Sequence, residues 1–187
     1  MPLLARIGEI RRIPKDRVVR GPALALVSAT TITTTYITCP RDPAQSLGIK
    51  LPCIVLVVKN VRARQRWPGD RADTWLCLAQ LGQPFLFEAQ VLDDKGVRRR
   101  FRISNQQSST RVKPFITFAP LTLDAGWNRV RLDLEEYTRK AYGSGLVEVV
   151  RVQIHACCHI RHVYFCTREF KSSALPKGLR DVKKRRG

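Results

Sequence analysis

The sequence predicts an all-β protein, an antiparallel β-sandwich with one short helix. Its dominant hydrophobic period is two residues, and Thr, Val and Ile are concentrated where that period occurs, which is typical of strands. Pro and Gly separate the segments, so two packed antiparallel sheets are favoured over a parallel sheet alternating with helices. Nine strand segments are predicted: 23–28, 32–38, 53–59, 85–92, 97–103, 114–118, 128–133, 146–155 and 159–166.

The best-specified element is a hairpin over residues 85–103. A three-residue loop ending at Gly96, with that glycine at positive φ as a bulge, sets the register from Asp93. Asp93 and its neighbour Asp94 are therefore interpreted as turn residues and not as a catalytic carboxylate pair. In this register the apolar residues collect on one face of the hairpin, with Arg99 as the one exception.

The opposite face of the hairpin carries a row of arginines. Arg98, Arg100 and Arg102 project from one strand face about 6.6 Å apart, which is two strand rises per step. Glu88 is expected to pair across the strands with Arg102. The row is either a solvated sheet face or a binding surface for a polyanion. Because Phe101 points to the inner face, no aromatic residue is expected between these cations, which weighs against recognition of single-stranded nucleic acid.

One helix is predicted at 134–141. Asp133 can cap its first turn, with Glu136 three residues later in an arrangement like a capping box. Gly143 can end the helix, because a left-handed residue commonly follows the last turn. The helix is interpreted as a structural cover on a sheet.

The chain has 187 residues, the usual length of one domain, and a formal net charge of +19 from 34 Lys and Arg against 15 Asp and Glu. This excess favours a polyanionic partner, such as nucleic acid, anionic lipid or an acidic protein surface. Charge alone does not choose among these, and our expectation does not include a membrane. No stretch is long and apolar enough for a membrane span. We expect one sandwich domain at 1–170, with an inserted loop at 63–83, and a basic, disordered tail at 171–187.

No catalytic residue, cofactor site or metal site is predicted. The motif HACCHIRH (155–162) could supply zinc ligands. Strand alternation, however, points His155 and Cys157 to one face and Cys158, His162 and Cys166 to the other, so a turn between two strands is favoured. There is neither a nucleophile elbow nor a phosphate-binding glycine loop. The six cysteines lack a C-x-x-C spacing and are interpreted as reduced, buried and intracellular.

Nine sequence blocks, spread along most of the chain, carry a resemblance to a known family. They are TTYITCP (34–40), LGIKLP (47–52), QVLDDK (90–95), VRRRFR (97–102), TRVKPFI (110–116), GWN (126–128), AYG (141–143), RVQIHA (151–156) and VYF (163–165). In this order they resemble the family of cilia- and flagella-associated protein 20. The resemblance runs from about residue 10 to residue 170, apart from 63–83, where the family passes directly between strands. That segment is either a genuine insertion or a gene-model artefact.

The resemblance implies a fold and a role. The family has a jelly-roll-like β-sandwich and is described as non-enzymatic. Its members lie inside axonemal doublet microtubules at the inner junction, next to tubulin and the parkin co-regulated gene product, and they support the stability and motility of cilia and flagella. Some members also occur at centrioles or basal bodies and in the nucleus. Carried over by position, the candidate contact residues are Arg98, Arg100, Arg102, Arg111 and Lys113.

Two other functions stay open at this point. A nucleic-acid-binding nuclear protein is the alternative, because the charge of +19 and the basic run KKRR (183–186) suit a polyanion. The same run could be a nuclear localisation patch. A sugar-binding module rests on fold analogy alone, with Trp127 as the candidate aromatic platform.

Overall fold

The structure is a computed structural model that describes residues 5–7, 9–16, 18–19, 21–28, 34–61 and 84–167. Both the predicted loop at 63–83 and the predicted tail at 171–187 lie outside the described residues. Within these ranges the structure contains twelve strands and one helix. They are β1 (Ala5–Ile7), β2 (Glu9–Ile13), β3 (Ala23–Val27), β4 (Tyr36–Cys39), β5 (Cys53–Asn60), β6 (Leu86–Asp93), β7 (Arg98–Ser104), β8 (Arg111–Val112), β9 (Ile116–Pro120), β10 (Gly126–Asp133), α1 (Leu134–Tyr142), β11 (Leu146–His155) and β12 (Cys158–Cys166).

The strands form two sheets. Sheet A has the order β1-β4-β11-β6-β7-β9-β8, and sheet B has the order β10-β5-β12-β3-β2. Neighbouring strands are antiparallel except for β7 and β9, which pair in parallel. This parallel pair arises because the chain leaves β7, forms the edge strand β8 and turns back between the two. The topology therefore places a hairpin, β8–β9, beside the arginine-bearing strand β7.

One apolar core lies between the two sheets. Phe87 and Phe101 of sheet A and Ile54 and Leu56 of sheet B are fully buried and belong to the same cluster. Each such side chain stabilises the fold by roughly 1.5–3 kcal/mol through burial. Two sheets that share a core in this way form a β-sandwich, which confirms the predicted fold class.

All nine predicted strand segments overlap observed strands. The sequence did not predict β1, β2 and β8. These three short strands lie at sheet edges, where one side lacks a neighbouring strand and alternation of apolar residues is weak. The errors thus fall at the periphery of the sheets and leave the core assignment intact.

The predicted helix is confirmed and is one residue longer than expected. The carboxylate of Asp133 accepts a hydrogen bond from the amide of Glu136 at 3.0 Å, and Gly143 follows the last turn with φ of 59°. Tyr137 packs its ring edge against Phe101 of the core, 5.7 Å between centroids. Of the residues described, none forms a helix long and apolar enough to cross a membrane.

Candidate functional site

The hairpin that carries the arginine row has the predicted register. Gly96 adopts φ of 71°, and its amide donates to the carbonyl of Asp93 at 3.0 Å. Across β6 and β7, Glu88 lies opposite Arg102, as expected from the sequence, and Gln90 lies opposite Arg100. Arg98, Arg100 and Arg102 therefore share the outer face of sheet A.

Glu88 neutralises part of this row. Its carboxylate is mostly buried and lies 3.0 Å from Nε of Arg102 and 3.8 Å from Nε of Arg100. The Arg100 side chain remains 50% exposed, whereas that of Arg102 is 32% exposed. Within the described ranges, no carboxylate forms an ion pair with Arg98. One acid thus serves two arginines and leaves a net positive surface.

The β8–β9 hairpin adds two further predicted residues to the same face. Phe118 lies opposite Arg102 in the parallel pair and opposite Arg111 in the antiparallel pair, so the three side chains share a face. The guanidinium of Arg111 lies 5.7 Å from the Phe118 ring centroid, and Nζ of Lys113 lies 6.0 Å from it. The structure thus gathers all five predicted contact residues, which we call the cationic face: Arg98, Arg100, Arg102, Arg111 and Lys113.

Phe118 corrects one expectation. The sequence indicated that no aromatic residue would interleave with the cations, because Phe101 of the same strand points inward, as the structure confirms. The ring that lies beside the cations comes instead from β9, a strand that is separated from β7 in sequence by β8. The sequence from Arg111 to Phe118 shows that an aromatic residue lies close to cations along the chain. Only the parallel pairing of β9 with β7 shows that the Phe118 ring lies on the same face as the arginines.

Arg99, the exception on the apolar face, has a structural role. Its Nε lies 2.7 Å from Oδ2 of Asp93, and its guanidinium stacks 4.4 Å from the ring centroid of Tyr142. It also donates to the carbonyl of Pro114. Burial raises the pKa of Asp93, but hydrogen bonds from Arg99, the Val97 amide and other donors outweigh this and hold that pKa below its ordinary value of 3.8. The pair ties the β6–β7 turn to the β8–β9 hairpin.

Asp93 and Asp94 have the turn roles that the sequence predicts. Asp93 accepts hydrogen bonds from the amides of Lys95 and Val97 at 3.1 and 2.7 Å. Asp94 accepts one from the amide of Gly145 at 2.9 Å. Both carboxylates therefore organise backbone, as expected for aspartates in a hairpin loop.

The His and Cys motif is divided between the sheets. His155 ends β11 in sheet A, with Nε2 3.7 Å from Oε1 of Glu88, whereas His159 lies in β12 of sheet B. Burial, with the nearby charge of Lys59, lowers the pKa of His159 to about 4. Burial also raises the pKa of Cys158. Among the residues the structure describes, no three His, Cys, Asp or Glu side chains are grouped to hold a metal ion.

Trp127 is held against the fold and does not present an open platform. It lies at the start of β10, partly buried, and its Nε1 donates to Oδ1 of Asp16 at 3.1 Å. The other oxygen of Asp16 accepts from Nζ of Lys59 at 3.2 Å. The indole is thereby fixed to the segment between β2 and β3 and does not form the open platform considered for sugar binding.

Comparisons with known proteins cover nearly the whole chain. Residues 4–183 match the family model described as the CFA20 domain. The chain is 46% identical over 169 residues to cilia- and flagella-associated protein 20 of Chlamydomonas reinhardtii, covering 90% of this chain and 77% of that protein. It is 44% identical to the protein of the same name from Paramecium tetraurelia, with the same coverage. The Caenorhabditis elegans protein of that name is 41% identical over 90% of this chain and 72% of its own length.

Proposed function

The chain belongs to the CFA20-domain family, and on that premise we propose that it is a structural, non-enzymatic protein of axonemal doublet microtubules in cilia and flagella. Its relatives are named as cilia- and flagella-associated proteins. In this role it lies inside the doublet at the inner junction, contacts tubulin and neighbours the parkin co-regulated gene product. Centrioles or basal bodies are a second location within this proposal, and the nucleus is a third.

The observation that carries the proposal is the cationic face. Residues 95–123 contain seven Lys and Arg and no Asp or Glu. Asp93 pairs with Arg99, and Glu88 pairs with Arg102. Glu88 lies farther from Arg100, at 3.8 Å. The remaining charge is exposed on one rigid sheet, where it can complement the acidic surface of tubulin and orient its approach.

The architecture also supports a structural role. A sandwich domain with a continuous core can present its binding surface without rearrangement. When identical copies bind along a lattice, contacts that are individually weak together give strong attachment. The polar residues also support a structural, non-enzymatic role, because Asp93 and Asp94 organise turns and because His155 and His159 lie in different sheets. We include in the proposal a single domain at 1–170, an inserted loop at 63–83 and a basic tail at 171–187.

The proposal is tested by following a tagged copy in ciliated cells. Axonemes are stripped of membrane with detergent, and the tagged protein is measured in purified doublets. We expect the wild type to remain with the doublets, and a variant with Arg98→Glu and Lys113→Glu to be lost from them. The double variant with Arg139→Glu and Lys140→Glu is the matched control, since both residues are exposed cations on α1 and the change in charge is the same. Release of the wild type by detergent alone would count against a doublet component.

Binding of nucleic acid is a second candidate function, favoured by Phe118. An aromatic ring flanked by Arg111 and Lys113 on an exposed sheet face is the combination that single-stranded nucleic acids use for stacking and backbone contact. This candidate predicts that the logarithm of the affinity for poly(dT) or a DNA duplex falls steeply with the logarithm of the salt concentration. Absence of binding at modest salt would remove it.

A further inference from the structure

Two cysteines lie opposite each other on the outer face of sheet B. Cys53 begins β5, Cys166 ends β12, and the antiparallel register pairs them directly. Both are free thiols. Because Ile54 points into the core between the sheets, its neighbour Cys53 points to the other side, where it shares an apolar cluster with Cys166 and Val55. No other two of the cysteines that the structure describes are in register on paired strands.

The register brings the two cysteines within bonding range of each other. Residues directly opposite on antiparallel strands have Cα atoms about 4.5–5.5 Å apart. Disulfides span Cα separations of about 4.4–6.8 Å. A bond between Cys53 and Cys166 would therefore fit the observed pairing of β5 with β12, and it would join residues more than a hundred positions apart in the sequence.

Two charged residues of β10 contact the sulfur of Cys53. The guanidinium of Arg131 donates to Sγ at 3.0 Å, and the thiol donates to Oδ2 of Asp133 at 3.5 Å. Burial raises the pKa of Cys53 above its ordinary value of 9.0, and the hydrogen bond from Arg131 offsets this only in part. Cys53 is thus a thiol at rest, but its proton has an acceptor and a negative charge on its sulfur has a donor.

Cys166 is the more accessible of the two thiols. Its residue is 7% exposed, whereas Cys53 is 0% exposed. Both lie at one end of their strands, where local opening costs least. A small oxidant therefore reaches Cys166 first, and Cys53 is positioned to react with the product.

We propose that Cys53 and Cys166 are a peroxide-responsive pair that forms a disulfide between β5 and β12 in the folded protein. The sulfur of Cys166 attacks hydrogen peroxide, the O–O bond breaks, and one water leaves while Cys166 becomes a sulfenic acid. The sulfur of Cys53 then attacks the sulfur of Cys166, and the S–O bond breaks. The hydroxyl leaves as a second water with the proton of the Cys53 thiol, which Asp133 accepts and passes on.

The two thiols together lose two electrons and two hydrogens, and the peroxide is reduced to two waters. A dithiol such as dithiothreitol reverses the change by thiol–disulfide exchange. This pair is independent of the proposed function, because neither cysteine belongs to the cationic face, which lies on sheet A.

The test treats the reduced full chain with hydrogen peroxide, then unfolds it and labels its thiols with N-ethylmaleimide. Intact mass should show that the number of labels falls from six to four and returns to six after dithiothreitol. Peptide mapping should identify the Cys53–Cys166 bond. The matched control is Cys39→Ser, since Cys39 is a partly exposed cysteine on β4, and this variant should still lose two labels.

Single variants test the order of the steps. Cys53→Ser should form no disulfide and should leave a sulfenic acid on Cys166 that dimedone traps, whereas Cys166→Ser should trap none at Cys53. The disulfide should raise the midpoint of thermal unfolding of the wild type by about 5–10 °C, because it closes a long loop.

Three results would overturn the proposal. The first is labelling of both Cys53 and Cys166 after peroxide treatment that oxidises Cys39. The second is a disulfide in the mapped wild type that joins either residue to another cysteine. The third is a Cys53–Cys166 bond that forms only in urea or that lowers the thermal midpoint, since the folded register would then not accommodate it.

Discussion

Replacing Asp93 by Asn should destabilise the protein strongly, because it breaks the ion pair that links two hairpins. The Asp93 side chain is buried, and it accepts hydrogen bonds from Nε of Arg99 at 2.7 Å and from Oγ of Ser144 at 3.0 Å. The substitution keeps the size of the side chain but leaves the Arg99 guanidinium, only 12% exposed, without its counter-charge.

The magnitude follows from the burial of the pair. Breaking a buried ion pair by removing one partner costs about 3–5 kcal/mol, and we expect the lower end, about 3 kcal/mol, because Arg99 keeps some contact with water and with Tyr142. For a chain of this length, that corresponds to a fall in the midpoint of thermal unfolding of about 6–12 °C. Asp94→Asn is the control, with an expected loss under about 1 kcal/mol, since Asp94 is exposed and accepts one hydrogen bond.

The difference in stability between the wild type and Asp93→Asn should depend on pH. The pKa of Asp93 in the folded protein lies below its ordinary value of 3.8, so the stabilisation is present above that value and is lost as the pH falls through the folded pKa. Urea denaturation at pH 7 should therefore separate the wild type from Asp93→Asn, and the difference should shrink in acid. If Asp93→Asn and Asp94→Asn lose the same small amount of stability at pH 7, the reasoning about the buried pair is wrong.

Three further predictions concern other parts of the molecule. Gly143→Ala should lower the free energy of unfolding by about 1 kcal/mol in a thermal melt, because a residue with Cβ is strained at φ of 59°; an unchanged melt would contradict the left-handed cap. Glu88→Gln should tighten binding to poly-L-glutamate about fivefold at low salt, because the negative charge between Arg100 and Arg102 is removed. Unchanged affinity would show that poly-L-glutamate does not bind at the cationic face. Asp16→Asn should destabilise the fold by about 1–3 kcal/mol and shift the tryptophan fluorescence emission, because Trp127 and Lys59 both donate hydrogen bonds to the Asp16 carboxylate. A variant with the emission and stability of the wild type would show that Asp16 does not anchor Trp127.

Elements specified by neighbouring residues could be predicted from the sequence. The β6–β7 hairpin follows from Gly96 and from alternation that only Arg99 interrupts on the apolar face. Its register is confirmed from the Phe87–Ile103 pair to the Leu92–Arg98 pair. Helix α1 follows from its two caps, Asp133 and Gly143. In both cases the determinants lie within a few residues of one another, so local chemistry is sufficient.

Features set by distant pairing could not be predicted. Phe118 joins Arg102 through a parallel pair with an edge strand beyond it, and nothing in the local pattern indicates that arrangement. The sequence pattern identifies Arg99 as an exception on the apolar face, but the role of this arginine depends on Tyr142 of the helix and Pro114 of the next hairpin. Trp127 is fixed by Asp16, more than a hundred residues away in sequence.

Photo-crosslinking can establish whether the cationic face contacts tubulin in the doublet. A photoreactive amino acid is placed at position 98 of the tagged protein, which is incorporated into axonemes and irradiated after detergent extraction. Position 139 on α1 serves as the comparison, because it is exposed and lies outside the cationic face. We predict an adduct with α- or β-tubulin from position 98, identified by mass spectrometry. Doublet-bound protein that yields no tubulin adduct from position 98 would show that the cationic face does not contact tubulin.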